Sequence, residues 1–147
     1  MNRIALATLV LLAAATFAPP ASLSEPQIGR PRLATGSPVR ATVDPHRHIV
    51  VKLANETDRL LNYARANDQP RSLPPGETGE LFLKVGSRRG DTGSILINTP
   101  DWTNPLTYDF HVDRDNVLRV NIRPTAADDP HQNRAIFIDE RGRVYAF

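Results

Sequence analysis

Residues 106–123 read LTYDFHVDRDNVLRVNIR, and apolar and polar side chains alternate along this stretch on both sides of a polar turn. A period of two is typical of a β-strand with one buried face, so the stretch predicts a hairpin whose other face meets water. The apolar face requires a second layer, because an uncovered sheet would leave a hydrophobic strip exposed. A β-sandwich or a β-barrel would supply that layer.

The rest of the chain contains further strand-length apolar segments, separated by turn residues such as those at 74–76 and 140–142. The predicted strands cover residues 49–54, 79–85, 93–98, 106–112, 118–123, 135–139 and 144–147, with a short edge strand at 38–43. We therefore predict an all-β fold, an antiparallel β-sandwich of immunoglobulin-like or related type with about seven to nine short strands.

Residues 57–67 leave two interpretations open. Thr57 is a suitable N-cap for a short helix in which Leu60, Leu61 and Ala64 would face inward. The same apolar positions are equally consistent with a strand over residues 60–64. The sequence does not decide between them.

The N-terminal part has a different composition. Asn2 and Arg3 precede an apolar run over residues 4–15, which is too short to cross a bilayer core of ~30 Å and predicts a signal peptide at residues 1–24. Residues 25–45 are rich in Pro, Arg and Thr and predict an extended, flexible arm. Residues 46–147 would then form a single domain, in a protein that is secreted or periplasmic.

Composition narrows the range of functions. The chain contains no cysteine, so the predicted sandwich relies on buried apolar surface and thiol chemistry is excluded. Its formal net charge is +2, and the basic residues are scattered among acidic ones. This pattern predicts no nucleic-acid partner, because no basic stripe is available to follow a phosphate backbone.

Loops at one end of the sheets are the predicted recognition site, since loops vary without disturbing the core. Trp102 is the only tryptophan, and Asp101 and Asn104 stand near it in a turn-rich segment. The alternative role of Trp102 is structural, as a plug at the open end of the core. Arg89 and Asp91 bracket a glycine in the integrin-recognition tripeptide, at the tip of a predicted hairpin. We predict a monomeric, non-catalytic binding module whose partner is a protein or a cell-surface ligand.

A second class of function is a metal-binding protein or an enzyme. His46 and His48 are two residues apart and would share one face of a strand, while His111 lies on the polar face of the main hairpin. Imidazole and carboxylate ligands suit Zn²⁺ or Cu²⁺, although a solvated polar surface explains the same residues. No catalytic residues and no other cofactor are predicted, because the sequence contains neither a nucleophile motif nor a clear carboxylate pair.

A third class is a membrane-active or outer-membrane β protein. The last eight residues, with Gly142, Tyr145 and a terminal Phe147, resemble the C-terminal signal by which bacterial outer-membrane β-barrels are recognised. That resemblance implies a small transmembrane barrel, whose strands need about nine to eleven residues. The alternative is a tight final hairpin that turns at Gly142 and packs Tyr145 and Phe147 inward.

Overall fold

A computed structural model describes residues 38–101, 105–129 and 132–147, and in these ranges the chain is all-β with no helix. Ten strands are present in the described ranges. They are β1 (Ala41–Thr42), β2 (Ile49–Asn55), β3 (Leu61–Arg65), β4 (Arg71–Leu73), β5 (Thr78–Leu83), β6 (Gly93–Asn98), β7 (Leu106–Val112), β8 (Val117–Pro124), β9 (Ala135–Ile138) and β10 (Arg143–Ala146). The predicted all-β class is therefore confirmed.

The strands form two open sheets that share one hydrophobic core. The larger sheet has the order β1-β10-β9-β6-β3-β4, and the smaller has the order β5-β2-β8-β7. Alternate residues of each strand point into the core, as the period of two requires. The largest fully buried side chains are Ile49, Leu53, Leu61, Leu73, Ile95, Ile97, Leu118, Ile122, Ile136 and Ile138. Their burial between two sheets confirms the predicted β-sandwich.

The main hairpin forms as its alternation predicts. β7 and β8 pair antiparallel, with Tyr108 opposite Ile122 and Phe110 opposite Val120. Asn116 closes the turn with a φ of 62°, a conformation that asparagine tolerates better than most residues. The turn and the alternation are both local features, which is why the sequence alone predicts this element well.

Residues 57–67 form no helix, and the strand interpretation is correct. Leu61 is fully buried while its neighbour Leu60 is 43% exposed, because successive residues of an extended chain point in opposite directions. The helix interpretation placed both leucines inward and is wrong. β4 was not predicted, because its three residues are too few to show alternation and only Leu73 is buried.

One strand pair is parallel, so the smaller sheet is mixed rather than purely antiparallel. β2 runs parallel to β8, with Val51 opposite Leu118 and Leu53 opposite Val120. Parallel neighbours need a long connection between them, and here the chain enters the larger sheet twice, at β3–β4 and at β6, before β8 begins. No short stretch of the sequence indicates that β2 and β8 are neighbours, so this pairing is not predictable from local patterns.

The C-terminal hairpin turns at Gly142, as predicted, with a φ of 76°. Its strands place Val144 in the core, whereas Tyr145 is buried on the opposite face beside Phe137, with ring centroids 6.3 Å apart. Phe147 is only partly buried. The prediction that Tyr145 and Phe147 face the core is therefore wrong. The alternation is shifted by one residue, so that Val144 faces the core and Tyr145 does not.

The predicted edge strand at 38–43 appears as β1, which occupies one edge of the larger sheet. Val43, directly after β1, belongs to the core. The chain thus joins the sheet inside the segment 25–45 that the sequence suggested as an arm. The predicted signal peptide at 1–24 lies outside the described residues.

Candidate binding cleft at one end of the sandwich

The direction of β6 separates the loops that the sequence analysis grouped into one site. The loop with Arg89 and Asp91 precedes β6, and the loop with Asp101 follows it. β6 spans six residues, or roughly 20 Å at ~3.3 Å per residue. The two loops therefore lie at opposite ends of the sandwich and do not form a common surface.

Residues 84–92, which contain Arg89 and Asp91, connect the two sheets rather than closing a hairpin, because β5 and β6 belong to different sheets. The Asp91 carboxylate accepts a hydrogen bond from the Ser87 amide at 3.1 Å, and the Gly90 amide donates to the Glu140 carboxylate. Asp91 thus stabilises its own loop. Its side chain is turned toward this loop, while Arg89 stays exposed beside an open depression of about 520 Å³.

The three histidines lie on exposed positions at the same end as Arg89. His111 Nε2 lies 3.2 Å from Asp113 Oδ1, and Arg119 Nε lies 2.8 Å from Asp113 Oδ2. The hydrogen bond from Arg119, together with His111, lowers the pKa of Asp113. Within residues 38–101, 105–129 and 132–147, no three His, Cys, Asp or Glu side chains come together as a potential metal site. His46, His48 and His111 therefore make no such group.

A cleft opens at the other end of the sandwich, between two connections that leave the larger sheet. One wall is residues 57–60, before β3, and the other is residues 99–101, after β6. The outer part is an open depression of about 330 Å³, and a smaller inner part of about 60 Å³ reaches residues 105–106 and 124–125. Arg59 and Thr99 line both parts, so the two depressions are adjacent, and we refer to them together as the cleft.

Thr99 lies at the junction of the two parts and is 2% exposed. Its hydroxyl oxygen, like that of Tyr108 in β7, has no hydrogen-bond partner in the described part of the chain. A buried hydroxyl without a partner destabilises a protein by about 1–3 kcal/mol, so native structures contain few of them. The Thr99 oxygen is itself closed off from solvent, so a group in the cleft reaches it only when the side chains that cover it move aside.

Asn55 at the end of β2 holds the first wall in place. Its side-chain amide donates to the carbonyls of Arg59 and Leu73, both at 2.8 Å. Its side-chain oxygen accepts from the amide of Thr57 at 3.0 Å and from the Thr57 hydroxyl at 2.6 Å. With the loop fixed in this way, Leu60 remains exposed at the rim of the cleft.

The structure places the remaining predicted site residues as follows. Asp101 is exposed and lines the outer cleft. Trp102 and Asn104 lie outside the described residues. The sequence analysis missed Asn55, Arg59 and Thr99 as parts of a site. Asn55 followed by Thr57 at a strand end is an Asx-turn pattern, and that signal predicts a rigid loop.

Comparison with known proteins finds no family model that matches this chain, and no curated protein matches it either. Among the described residues no helix is both long and apolar enough to span a membrane.

Proposed function

We propose that this protein is an exported, non-catalytic binding module whose ligand, a segment of a partner protein, occupies the cleft between residues 57–60 and 99–101. The observation that carries this proposal is the buried, unpartnered hydroxyl of Thr99 at the cleft junction. A ligand group that pairs with this hydroxyl, once the side chains covering it move aside, would recover the free energy lost by burying it. The export of the protein is supported by the signal-peptide pattern of residues 1–24.

The walls of the cleft suggest the chemistry of the ligand. Leu60 and Pro100 supply apolar contact on the two sides of the outer cleft. Arg59 stands at the same place, and its Nε lies 4.0 Å from Asp58 Oδ1, which is at the limit of an ion pair and mostly exposed. Its guanidinium is thus available to a hydrogen-bond acceptor. Asp58 and Asp101 line the cleft as well, so its charge does not favour an acidic ligand, and we infer a protein segment with an apolar side chain next to an uncharged polar group.

Site-specific photo-crosslinking in the cells that produce the protein tests this proposal. One variant carries p-benzoylphenylalanine in place of Leu60, and a matched control carries it in place of Leu96. Leu96 has similar exposure, 40% against 43%, but lies on the outer face of the larger sheet. We expect a discrete protein adduct from position 60 and not from position 96. No adduct from position 60, or the same adducts from both positions, would contradict the proposal.

A second set of variants separates binding from folding. Thr99→Val in the position-60 crosslinking variant removes the unpartnered hydroxyl but keeps the shape of the side chain. Arg59→Ala in the same background removes the exposed cation. We expect both to reduce the adduct several-fold while the thermal unfolding midpoint of the protein stays within a few degrees. An unchanged adduct in both variants would show that these side chains do not contact the ligand.

A further inference from the structure

β5 is an edge strand of the smaller sheet, bonded to β2 on one side only. The Asn55 amide donates to the Glu77 carbonyl, which places the backbone groups of residues 77, 79, 81 and 83 on the β2 side. Because these groups alternate along a strand, those of Glu80 and Phe82 point to the open side. The hydrogen bond from Arg65 Nη1 to the Phe82 carbonyl at 3.2 Å agrees with this direction.

The side chains along this edge are arranged symmetrically about Phe82. Residues 80–84 read ELFLK, with an acid at one end, a base at the other and a phenylalanine in the middle. Leu81 and Leu83 are buried, whereas Glu80, Phe82 and Lys84 are exposed on the outer face. Phe82 is 61% exposed, the highest value among the large hydrophobic residues described. An exposed aromatic on an open strand edge favours pairing with another strand.

The structure points to a second copy of this chain as the partner of β5, and we propose that two β5 strands pair antiparallel about Phe82. In that register Phe82 lies opposite its own counterpart, and their backbone groups can exchange two hydrogen bonds. Glu80 then lies opposite Lys84 of the second copy, and Lys84 opposite Glu80. The ELFLK order is therefore self-complementary in charge at both outer positions.

The other edges fit such a pairing less well. The Leu106 carbonyl of β7 already accepts a hydrogen bond from the Asn133 amide at 2.7 Å. β1 and β4 contain only two and three residues. At β5 the Phe82 carbonyl exchanges the Arg65 donor for an amide of the second copy, and Arg65 keeps its ion pair with Asp68 at 2.7 Å.

The contact joins two short strands and is smaller than the ~1,600 Å² of a standard interface, so the dimer is expected to be weak and concentration-dependent. This departs from the monomer that the sequence analysis predicts. It is independent of the cleft, because β5 carries no residue that lines it.

A charge swap tests the register by sedimentation of the purified protein, as the producing cells export it, from about 10 μM to about 1 mM, the range in which a weak dimer dissociates. We expect the wild type to dimerise. E80K and K84E each place like charges opposite one another, so each variant alone should associate about ten-fold less tightly. E80K also removes the ion pair that Glu80 makes with Lys52 of the same copy at 3.7 Å, so K84E, which leaves that pair intact, is the cleaner single variant. An equimolar mixture of E80K and K84E should restore dimers, since every opposed pair is then a base facing an acid. The double variant E80K/K84E should also restore them.

Two results would overturn the proposal. One is a wild-type protein that remains monomeric up to about 1 mM. The other is a dimer that E80K or K84E alone leaves unchanged. Circular dichroism of each variant checks the fold, which these exposed positions should not alter. Phe82→Ser serves as a charge-neutral variant, and it should weaken the dimer without being restored by mixing.

Discussion

The two ends of the sandwich differ in how completely their polar groups are satisfied. At the end formed by residues 43–48, 84–92, 113–116 and 139–142, side chains tie neighbouring loops together, and we call it the closed end for that reason, although an open depression of about 520 Å³ lies on its surface beside Arg89. Asn116 alone bonds the amide and carbonyl of Asp44 and the carbonyl of His48. At the cleft end, a hydroxyl stays buried without a partner and a leucine stays exposed.

This difference indicates that the two ends have different roles: the closed end stabilises the fold, and the cleft end carries the proposed binding site. Fully satisfied buried networks rigidify a structure, whereas a buried polar group without a partner costs stability. The cleft end is nevertheless firmly built, since Asn55 anchors its first wall with four hydrogen bonds. This rigid wall is the preorganised part of the proposed binding site, and the covered Thr99 hydroxyl is the part that a ligand would have to uncover. The predictions that follow test this contrast, beginning with the largest effect.

The largest effect is expected from Gly142→Ala at the closed end. A Cβ atom there would lie 2.0 Å from the Val43 carbonyl oxygen, and the φ of 76° is unfavourable for alanine. We expect a loss of more than about 4 kcal/mol in the free energy of unfolding, measured by urea denaturation. Gly76→Ala at the cleft end is the matched control, because its φ is 75° but nothing lies within 4 Å. It should cost only about 1 kcal/mol, and equal losses would refute the argument.

Asn116→Ala should have the next largest effect. It removes three hydrogen bonds and leaves alanine at a φ of 62°, so we expect a loss of about 3 kcal/mol in urea denaturation. Asn116→Gly also removes the hydrogen bonds but tolerates the backbone conformation, and it should lose about 1 kcal/mol less. A glycine variant as stable as the wild type would show that the side-chain bonds do not secure the closed end.

The stability of the closed end is expected to depend on pH through the carboxyl group of Asp139. Burial raises the pKa of its carboxyl group, but hydrogen bonds from the amide and guanidinium of Arg143 and from the Arg141 amide outweigh burial and lower it. Because the folded pKa lies below the unfolded value of about 3.9, the stabilisation is complete above pH ~4 and is lost as pH falls through the folded pKa.

We therefore expect the urea midpoint of the wild type to fall between about pH 5 and pH 2, and the midpoint of Asp139→Asn to fall less. At pH 7 the variant should be less stable by about 2 kcal/mol, since charged hydrogen bonds are lost. Parallel pH profiles for the two proteins would contradict the assigned role of Asp139.

Thr99→Val should change the free energy of unfolding least of these substitutions. Whether it stabilises or destabilises the protein shows whether the Thr99 hydroxyl lacks a partner. Removing a buried hydroxyl that has no partner is expected to leave the protein unchanged or to stabilise it by up to about 1 kcal/mol. Thr57→Val is the control at the same end, because the Thr57 hydroxyl bonds Asn55 at 2.6 Å. It should destabilise by about 1 kcal/mol. If Thr99→Val destabilises as much as Thr57→Val, the Thr99 hydroxyl has a structural partner and the cleft argument fails.

The fold was predictable wherever the signal is local. Residues 93–98 and 106–112 were predicted with the bounds that the structure shows, because alternation and flanking turn residues mark both. β4 was not predicted because it is only three residues long. The parallel pairing of β2 with β8 was not predicted because it joins strands more than sixty positions apart in the sequence.

The candidate site was predictable only in part. Asp101 was singled out and lines the cleft, while Arg59 and Thr99 carry no motif that marks them. Arg89 and Asp91 were placed in the same recognition surface, but they lie at the opposite end. Sequence reasoning identifies loops, and it does not say which loops meet, because that depends on the direction of each strand in the finished sheets.

The amino-acid sequence by itself determined that the longer segments, such as residues 93–98 and 106–112, are extended and which side of them faces the core, since side-chain alternation is a property of the local chain. The tertiary structure decided which strands are neighbours, which loops share an end, and that the Thr99 hydroxyl is buried without a partner. These depend on contacts between segments far apart in the chain, where several pairings satisfy the same alternation and only the packing of the whole core selects one.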